Sequence, residues 1–209
     1  MKNIRSIGFW SGLLAFLATI SYVIVQLLQF LRMIPFPTDE ILIYGLSLCI
    51  VIPFVIEILS LHYVTPGSKR FWTHGALLFT SMYAVFVSAN YVVQLVTVIP
   101  MKLRGMGNEI RILDQTPHSL FWNFDALGYI FMGLAMLMAI PAFEKKGSQK
   151  KVRWALLANG LMTPIISIVY FYPSYSENLL MLGLPWAITA PLAMLMLALF
   201  FRRKENATA

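Results

Sequence analysis

The sequence predicts an all-α integral membrane protein, a bundle of six transmembrane helices. Of its 209 residues, 59% are hydrophobic and 12% are charged, and the mean hydropathy is +0.74. Soluble domains are about 45–50% apolar and about 25% charged. The apolar residues form six runs, each long enough to cross a hydrocarbon core about 30 Å thick. The lysines and arginines cluster in alternate connections between these runs, as in multi-pass membrane proteins.

The six predicted helices make up a single domain, residues 1–209, with short connections. Their approximate ranges are 7–31, 41–61, 72–99, 117–143, 152–172 and 179–201. The first run is too long for the apolar part of a signal peptide, so we interpret it as a retained helix. Thr116 and Pro117 predict the start of the fourth helix. A threonine hydroxyl can accept a free backbone N–H, and proline is tolerated at the first helical position.

The basic residues predict the orientation of the bundle. Twelve of the sixteen lysines and arginines lie on one side. They are Lys2, Arg5, Lys69, Arg70, Lys145, Lys146, Lys150, Lys151, Arg153, Arg202, Arg203 and Lys204. The other side carries Arg32, Lys102, Arg104 and Arg111. The positive-inside rule then places both termini in the cytoplasm, with the chain integral to a plasma membrane of the bacterial inner-membrane type. The same distribution explains the net charge of +7 without a nucleic-acid partner.

Several classes of site are disfavoured by the motifs that the sequence lacks. Cys49 is the single cysteine, so the chain can form neither an internal disulfide nor a cysteine-based metal site. The three histidines divide between the two predicted faces. The sequence has no H-E-x-x-H, G-x-S-x-G, P-loop or C-x-x-C motif. We therefore expect no metal and no cofactor, and an enzymatic function is disfavoured.

Three of the predicted helices carry a polar stripe in their outer halves, at spacings of three, four and seven residues. The stripes are Thr19, Tyr22, Gln26 and Gln29 in the first helix, Tyr83, Asn90, Gln94 and Thr97 in the third, and His118, Trp122, Asp125 and Tyr129 in the fourth. A lipid-facing amide costs several kcal/mol, so we expect these faces to point toward one another or toward a wet cavity. The alternative is that the amides are interhelical hydrogen-bond partners without another role.

Asp125 is the most informative of these residues, because an ionisable side chain within a membrane helix marks a functional site by default. The alternative is that the fourth helix tilts and leaves Asp125 near the membrane surface. There, the positive N-terminal end of the helix would favour a carboxylate.

A smaller set of polar residues lies toward the predicted inner side. Glu57, His74 and Asn159 are candidates for a proton or ion relay. The alternative for Glu57 is a plain ion pair with Arg70 or a protonated His74. Gly8 and Gly12 form a G-x-x-x-G pattern in the first helix, which permits either close helix packing or a homodimer.

The leading functional hypothesis is the binding or transport of a small polar or cationic solute that enters an outward-facing pocket from outside the bilayer. Asp125 would supply the charge, and Tyr22, Tyr83, Trp122 and Tyr129 would offer aromatic faces to a cation. Gln26, Asn90 and Gln94 would orient the solute. Proton coupling through Asp125 is a sub-hypothesis. A non-catalytic accessory protein is the first alternative. The second is a membrane enzyme that uses His118 and Asp125 on a lipid or isoprenoid substrate.

Overall fold

The computed structural model describes residues 2–202, and the regular structure within this range is helical throughout. Within the same range, six segments are long and apolar enough to cross a membrane. We call them the first to the sixth span: Lys2–Phe30, Thr38–Val64, Gly67–Leu103, Leu120–Ala142, Gln149–Phe171 and Glu177–Arg202. The number and order of the predicted helices are confirmed. Arg203 and Lys204, two of the basic residues used to predict the orientation, lie outside the described residues.

The first two spans are uninterrupted α-helices, whereas the third changes its helical type near its end. The third span consists of a 3₁₀ turn at Gly67–Lys69, an α-helix at Arg70–Val93, a π-helical turn at Gln94–Val98 and an α-helical turn at Ile99–Leu103. The Ile99 N–H donates to the Gln94 carbonyl, five residues back. Pro100 explains this widening, because its ring crowds the carbonyl of Val96 and it has no N–H of its own.

The last three spans are also interrupted. The fourth is an α-helix at Leu120–Ala139 followed by a 3₁₀ turn at Ile140–Ala142. The fifth comprises Gln149–Gly160 and Met162–Phe171, and the sixth comprises Glu177–Met181 and Trp186–Arg202. The break in the fifth span precedes Pro164, whose missing N–H leaves the Gly160 carbonyl without its helical partner. A short 3₁₀ turn at Gly107–Ile110 lies in the connection between the third and fourth spans.

The spans pack in chain order into a closed ring. Each contacts the span before it and the span after it, and the sixth returns to pack against the first. The outside of this ring carries large apolar side chains, such as Phe30, Ile52, Phe71 and Ile188, each more than two thirds exposed. Such a surface is far more apolar than that of a soluble monomer, and it is the surface expected to face lipid.

Small residues in the first span let its neighbours approach closely. Gly8 packs against the ring of Phe201, and Gly12 packs against Ala198 and the carboxyl group of Glu57. The G-x-x-x-G face is therefore buried inside the bundle of a single chain. A homodimer through Gly8 and Gly12 has no free surface there, and close packing of helices is the use that this fold makes of the pattern.

We expect Gly12→Ala to destabilise the protein by about 1–3 kcal/mol, the usual cost of overpacking a filled interior. The added Cβ would lie 2.8 Å from the Ala198 Cβ and would collide with the Glu57 carboxyl. Thermal unfolding in detergent measures the effect. Gly45→Ala is the matched control, because a Cβ at this helical glycine meets nothing within 4 Å. Equal unfolding temperatures for the two variants would contradict the packing described.

Candidate functional site

Asp125 lies at the centre of the candidate site. Its side chain is on the fourth span, is 2% exposed, and accepts three hydrogen bonds. Oδ1 accepts from the Tyr91 hydroxyl at 2.7 Å and from Asn90 Nδ2 at 3.3 Å, and Oδ2 accepts from the Tyr170 hydroxyl at 2.7 Å. Because these donors lie on the third and fifth spans, the carboxyl group joins three neighbouring spans.

The three donors are neutral, and no cationic side chain among residues 2–202 forms an ion pair with Asp125. The ion pairs found in that range join Lys69 to Glu144 and Lys102 to Glu40 and Asp114. A charge taken out of water is costly unless it is both hydrogen-bonded and paired. Asp125 has the hydrogen bonds, but the described chain supplies no counter-charge.

The two tyrosines that donate to Asp125 pack against further aromatic rings, on the second and fourth spans. The Tyr91 ring stacks on that of Tyr44, with centroids 5.5 Å apart. The Tyr170 ring lies 4.5 Å from that of Trp122 and 6.2 Å from that of Tyr129. Trp122 Nε1 donates to the Tyr170 carbonyl at 3.2 Å, which fixes the indole ring beside the tyrosine that binds Asp125.

The aromatic group continues onto the first and sixth spans. The hydroxyl oxygens of Tyr22 and Tyr129 are 3.0 Å apart, within hydrogen-bond distance. The Trp186 ring packs edge-on against both, at centroid distances of 5.9 and 4.8 Å. Its indole N–H is buried and has no hydrogen-bond partner in the described part of the chain. We call these rings the aromatic cage: Tyr22, Tyr44, Tyr91, Trp122, Tyr129, Tyr170 and Trp186.

The connection between the third and fourth spans folds back over Asn90 and Gln94. Asn90 Nδ2 donates to Gln115 Oε1 at 3.0 Å, and Gln94 Nε2 donates to the Leu113 carbonyl at 2.7 Å. The Gln115 N–H in turn donates to Gln94 Oε1 at 3.3 Å. The two amides therefore hold this connection in place, in addition to the bond that Asn90 makes to Asp125.

Lys102 provides a second attachment for the same connection. Its Nζ lies 2.9 Å from Asp114 Oδ1 and 3.2 Å from Glu40 Oε1. Glu40 is on the second span and Asp114 is in the connection, so a single ammonium group bridges the two. Together with the amide contacts, this bridge closes the bundle at the end opposite to most of the basic residues.

The structure brings six of the predicted site residues together: Tyr22, Asn90, Gln94, Trp122 and Asp125 are buried, and Tyr129 is half-buried. It does not do so for the others. Gln26 is exposed, and Gln29 Nε2 donates to Asp39 Oδ2 at 2.8 Å. Tyr83 is buried but packs edge-on against Phe54 of the second span, with centroids 5.5 Å apart.

His118 is misplaced by the sequence prediction, because the fourth helix does not begin at Thr116 and Pro117. It begins at Leu120, where the Ser119 hydroxyl caps it by accepting the Trp122 N–H at 3.1 Å. His118 precedes this cap, is exposed, and has a φ of +66°, outside the helical range. It therefore shares no helical face with Asp125.

Several residues of the site were missed by the sequence prediction: Tyr44, Tyr91, Gln115, Tyr170 and Trp186. Tyr91 follows Tyr83 by eight residues, a spacing that places both on one side of a helix. Tyr170 and Trp186 are amphipathic aromatic residues near the ends of their apolar runs. The tyrosines and tryptophans on all six apolar runs, rather than on the three polar stripes alone, are the signal that points to the four aromatic residues.

Glu57 lies apart from this site, toward the end that carries most of the basic residues. It is 0% exposed, and neither carboxyl oxygen has a hydrogen-bond partner among the described residues. The predicted ion pair of Glu57 with Arg70 or His74 is therefore wrong. Arg70 Nε donates instead to the Thr65 carbonyl, and the His74 ring packs against that of His62, with centroids 5.8 Å apart.

The inner-side relay through Glu57, His74 and Asn159 is not formed as a hydrogen-bonded chain within residues 2–202. His74 is exposed, and Asn159 Nδ2 donates to Thr189 Oγ1 at 3.3 Å. The exposed Glu144, outside the spans, is the acid at this end that does find a cation. Its hydrogen bond from Lys69, at 2.6 Å, lowers the pKa of the Glu144 carboxyl.

Comparison with protein-family models, with curated proteins and with solved structures finds no match to this chain. Within residues 2–202, no group of three or more His, Cys, Asp or Glu side chains is placed to hold a metal ion. The chemistry available at the site is therefore that of a buried carboxyl group, tyrosine hydroxyls and aromatic faces.

We expect Tyr170→Phe to destabilise the protein by about 1–3 kcal/mol, because it removes a hydrogen bond to a buried carboxyl oxygen and leaves that oxygen unsatisfied. Thermal unfolding in detergent measures the effect. Tyr172→Phe is the matched control, since Tyr172 is two residues away and 55% exposed. A loss no larger than that of the control would show that the bond from Tyr170 to Asp125 contributes nothing to stability.

Proposed function

We propose that the chain is a multi-pass membrane protein that binds a small organic cation at Asp125 and moves it across the plasma membrane, with both termini in the cytoplasm. One observation carries the proposal: Asp125 is almost fully buried, is held by three neutral donors, and has no cationic partner among residues 2–202. Its orientation rests on the excess of lysine and arginine at one end of the bundle.

Electrostatics favours a cation over a neutral solute. The carboxylate of a membrane-buried aspartate is expensive without an opposite charge, and a bound cation supplies that charge from outside the chain. The aromatic cage favours an organic cation in particular. A ring face attracts a desolvated ammonium group by about 0.5–2 kcal/mol, and the hydroxyls of Tyr91 and Tyr170 are already oriented toward Asp125.

Access to Asp125 requires the connection between the third and fourth spans to move. Gln94, Lys102 and Gln115 hold that connection over the site, so the conformation described is a closed one. A few polar contacts of this kind can break and reform without unfolding the spans. Opening of this connection, followed by release toward the opposite side, is the gating expected of a transporter.

The accessory-protein hypothesis is the second candidate, and a specific observation favours it. Asn90 and Gln94 find their partners within the chain, as expected of amides that only join helices. The enzyme hypothesis has no comparable support, because the exposed His118 lies outside the helix that carries the buried Asp125.

We expect tetramethylammonium, choline or a related amine to raise the unfolding temperature of the purified protein, and the Asp125→Asn variant to lose this response. A ligand at 100 times its dissociation constant stabilises a fold by about 2.7 kcal/mol, which a thermal-shift assay detects. Glu109→Gln is the matched control, since Glu109 is an exposed acid in the connection over the site. A wild-type protein that responds to no amine, beside an equally stable Asp125→Asn variant, would favour the accessory protein.

Cysteine labelling tests the proposed orientation. In a background in which Cys49 is replaced by alanine, Ser68→Cys and Asn108→Cys place thiols in exposed positions at opposite ends of the bundle. We expect a membrane-impermeant maleimide to label Asn108→Cys on intact cells, and to label Ser68→Cys only after permeabilisation. The reverse pattern would invert the proposed topology and would place the covering connection on the cytoplasmic side.

A further inference from the structure

Glu57 is the most unusual buried group in the bundle that the proposed function leaves unused. It lies on the second span, is 0% exposed, and both carboxyl oxygens lack a hydrogen-bond partner in the described part of the chain. Space for it exists because Gly12 has no side chain: the carboxyl group occupies the position that a Cβ there would take, beside Ala198 of the sixth span.

The charged and titratable groups on the spans that pack against the second do not compensate Glu57. They are Lys2, Arg5 and Tyr22 on the first span, Lys69, Arg70, His74, Tyr83, Tyr91 and Lys102 on the third, and Glu177 and Arg202 on the sixth, with Asp39, Glu40, Tyr44, Cys49, His62 and Tyr63 on the second span itself. None of them forms a hydrogen bond with Glu57 in the range that the structure describes. Arg5 lies over the Phe200 ring at 5.5 Å, and Arg202 lies over the Phe9 ring at 5.8 Å.

An uncompensated carboxylate is not stable in such surroundings, so Glu57 carries a proton in the conformation described. Even a neutral carboxyl group forfeits its hydrogen bonds there, and a leucine or methionine would fill the same space without that cost. A buried polar group left unsatisfied calls for an explanation, and a chemical use is the usual one within a membrane.

The position of Glu57 indicates from which side it exchanges its proton. It lies seven residues before the end of the second span at Val64, about 10 Å along the helix axis from the basic end of the bundle. Its neighbours are the first and sixth spans, whereas Asp125 is bonded to the third and fifth. The two acids therefore belong to opposite parts of the ring and do not share one site.

We propose that Glu57 is a second binding site, for a proton, which loads and unloads toward the basic end of the bundle and is exchanged for the cation held at Asp125. The exchange with the cation rests on the proposed function. The proton transfer by itself does not: the carboxyl O–H gives its proton to a water that enters from the basic end, leaving a carboxylate, and takes it back from hydronium. No electrons move, and no further reactant is needed.

Dicyclohexylcarbodiimide, which reacts with protonated carboxyl groups in apolar surroundings, tests the proton site on the unmodified chain. Peptide mass spectrometry of vesicles gives the fraction of Glu57 that carries the adduct. We expect this fraction to fall by about tenfold per pH unit above the titration midpoint when the pH is raised on the side of the membrane that faces the lysine- and arginine-rich end of the bundle. We expect no change when the pH is raised on the other side. Labelling that follows the other side, or that follows neither, would overturn the proposal.

Infrared difference spectra recorded between acidic and alkaline pH supply the second measurement. We expect a carboxylic-acid carbonyl band that is lost in Glu57→Gln and kept in Asp125→Asn. Identical difference spectra for the wild type and Glu57→Gln would mean that the proton never leaves, and would overturn the proton site. Glu57→Asp, which keeps a carboxyl group, replaces Glu57→Gln if the latter does not fold, and should keep the band at a shifted frequency.

Adding tetramethylammonium during the infrared measurement separates the two proposals. Release of the Glu57 proton on addition, absent in Asp125→Asn, supports the exchange. Binding of tetramethylammonium without a change at Glu57 would overturn the exchange while leaving the cation site intact. A pH-dependent Glu57 in a protein that binds no amine would overturn the exchange together with the proposed function, while leaving Glu57 as a proton site.

Discussion

The need to compensate one buried carboxyl group governs half of the bundle. Asp125 has no cation of its own within residues 2–202, so its stability depends on donors that reach it from two neighbouring spans. Tyr91 and Tyr170 can donate only if the third, fourth and fifth spans stay in their present order and depth. Asn90, the third donor, also binds Gln115, so the covering connection is tied to the same carboxyl group. Local electrostatics thus fixes both the packing of three spans and the closure of one end.

The second acid follows a different physical rule. Asp125 accepts hydrogen bonds from three donors, whereas the Glu57 carboxyl packs against Gly12 and has no donor among the described residues. Donors stabilise a charged carboxylate, and their absence stabilises a neutral one. The two carboxyl groups therefore lie in different environments, one among hydrogen-bond donors and the other without them.

The sequence was sufficient to predict the six spans, because an apolar run long enough to cross a membrane is a strong and local signal. Asn90 and Asp125, which helical spacing predicts to face inward, lie in the interior. Helical spacing failed for His118, because the hydroxyl of Ser119 rather than that of Thr116 caps the helix, a choice between two similar residues three positions apart.

Tyr170 was missed because its role depends on the fifth span packing beside the fourth, and single-chain periodicity carries no information about neighbours. Gln26 continues the stripe of the first span beyond Tyr22, where it is no longer covered by another span.

The π-helical turn at Gln94–Val98 rotates the last part of the third span about the helix axis, relative to the part that precedes the turn. Before the turn, the helix aims Asn90 and Tyr91 at Asp125; after it, the helix aims Lys102 at Glu40 and Asp114. One additional residue in the turn rotates the second set relative to the first by roughly the angle of a single helical step, about 100°. The span can thus hold the acid and the covering connection at once, although a regular helix would aim Lys102 in another direction. Relatives of this chain that dispense with the cover should therefore have a third span one residue shorter.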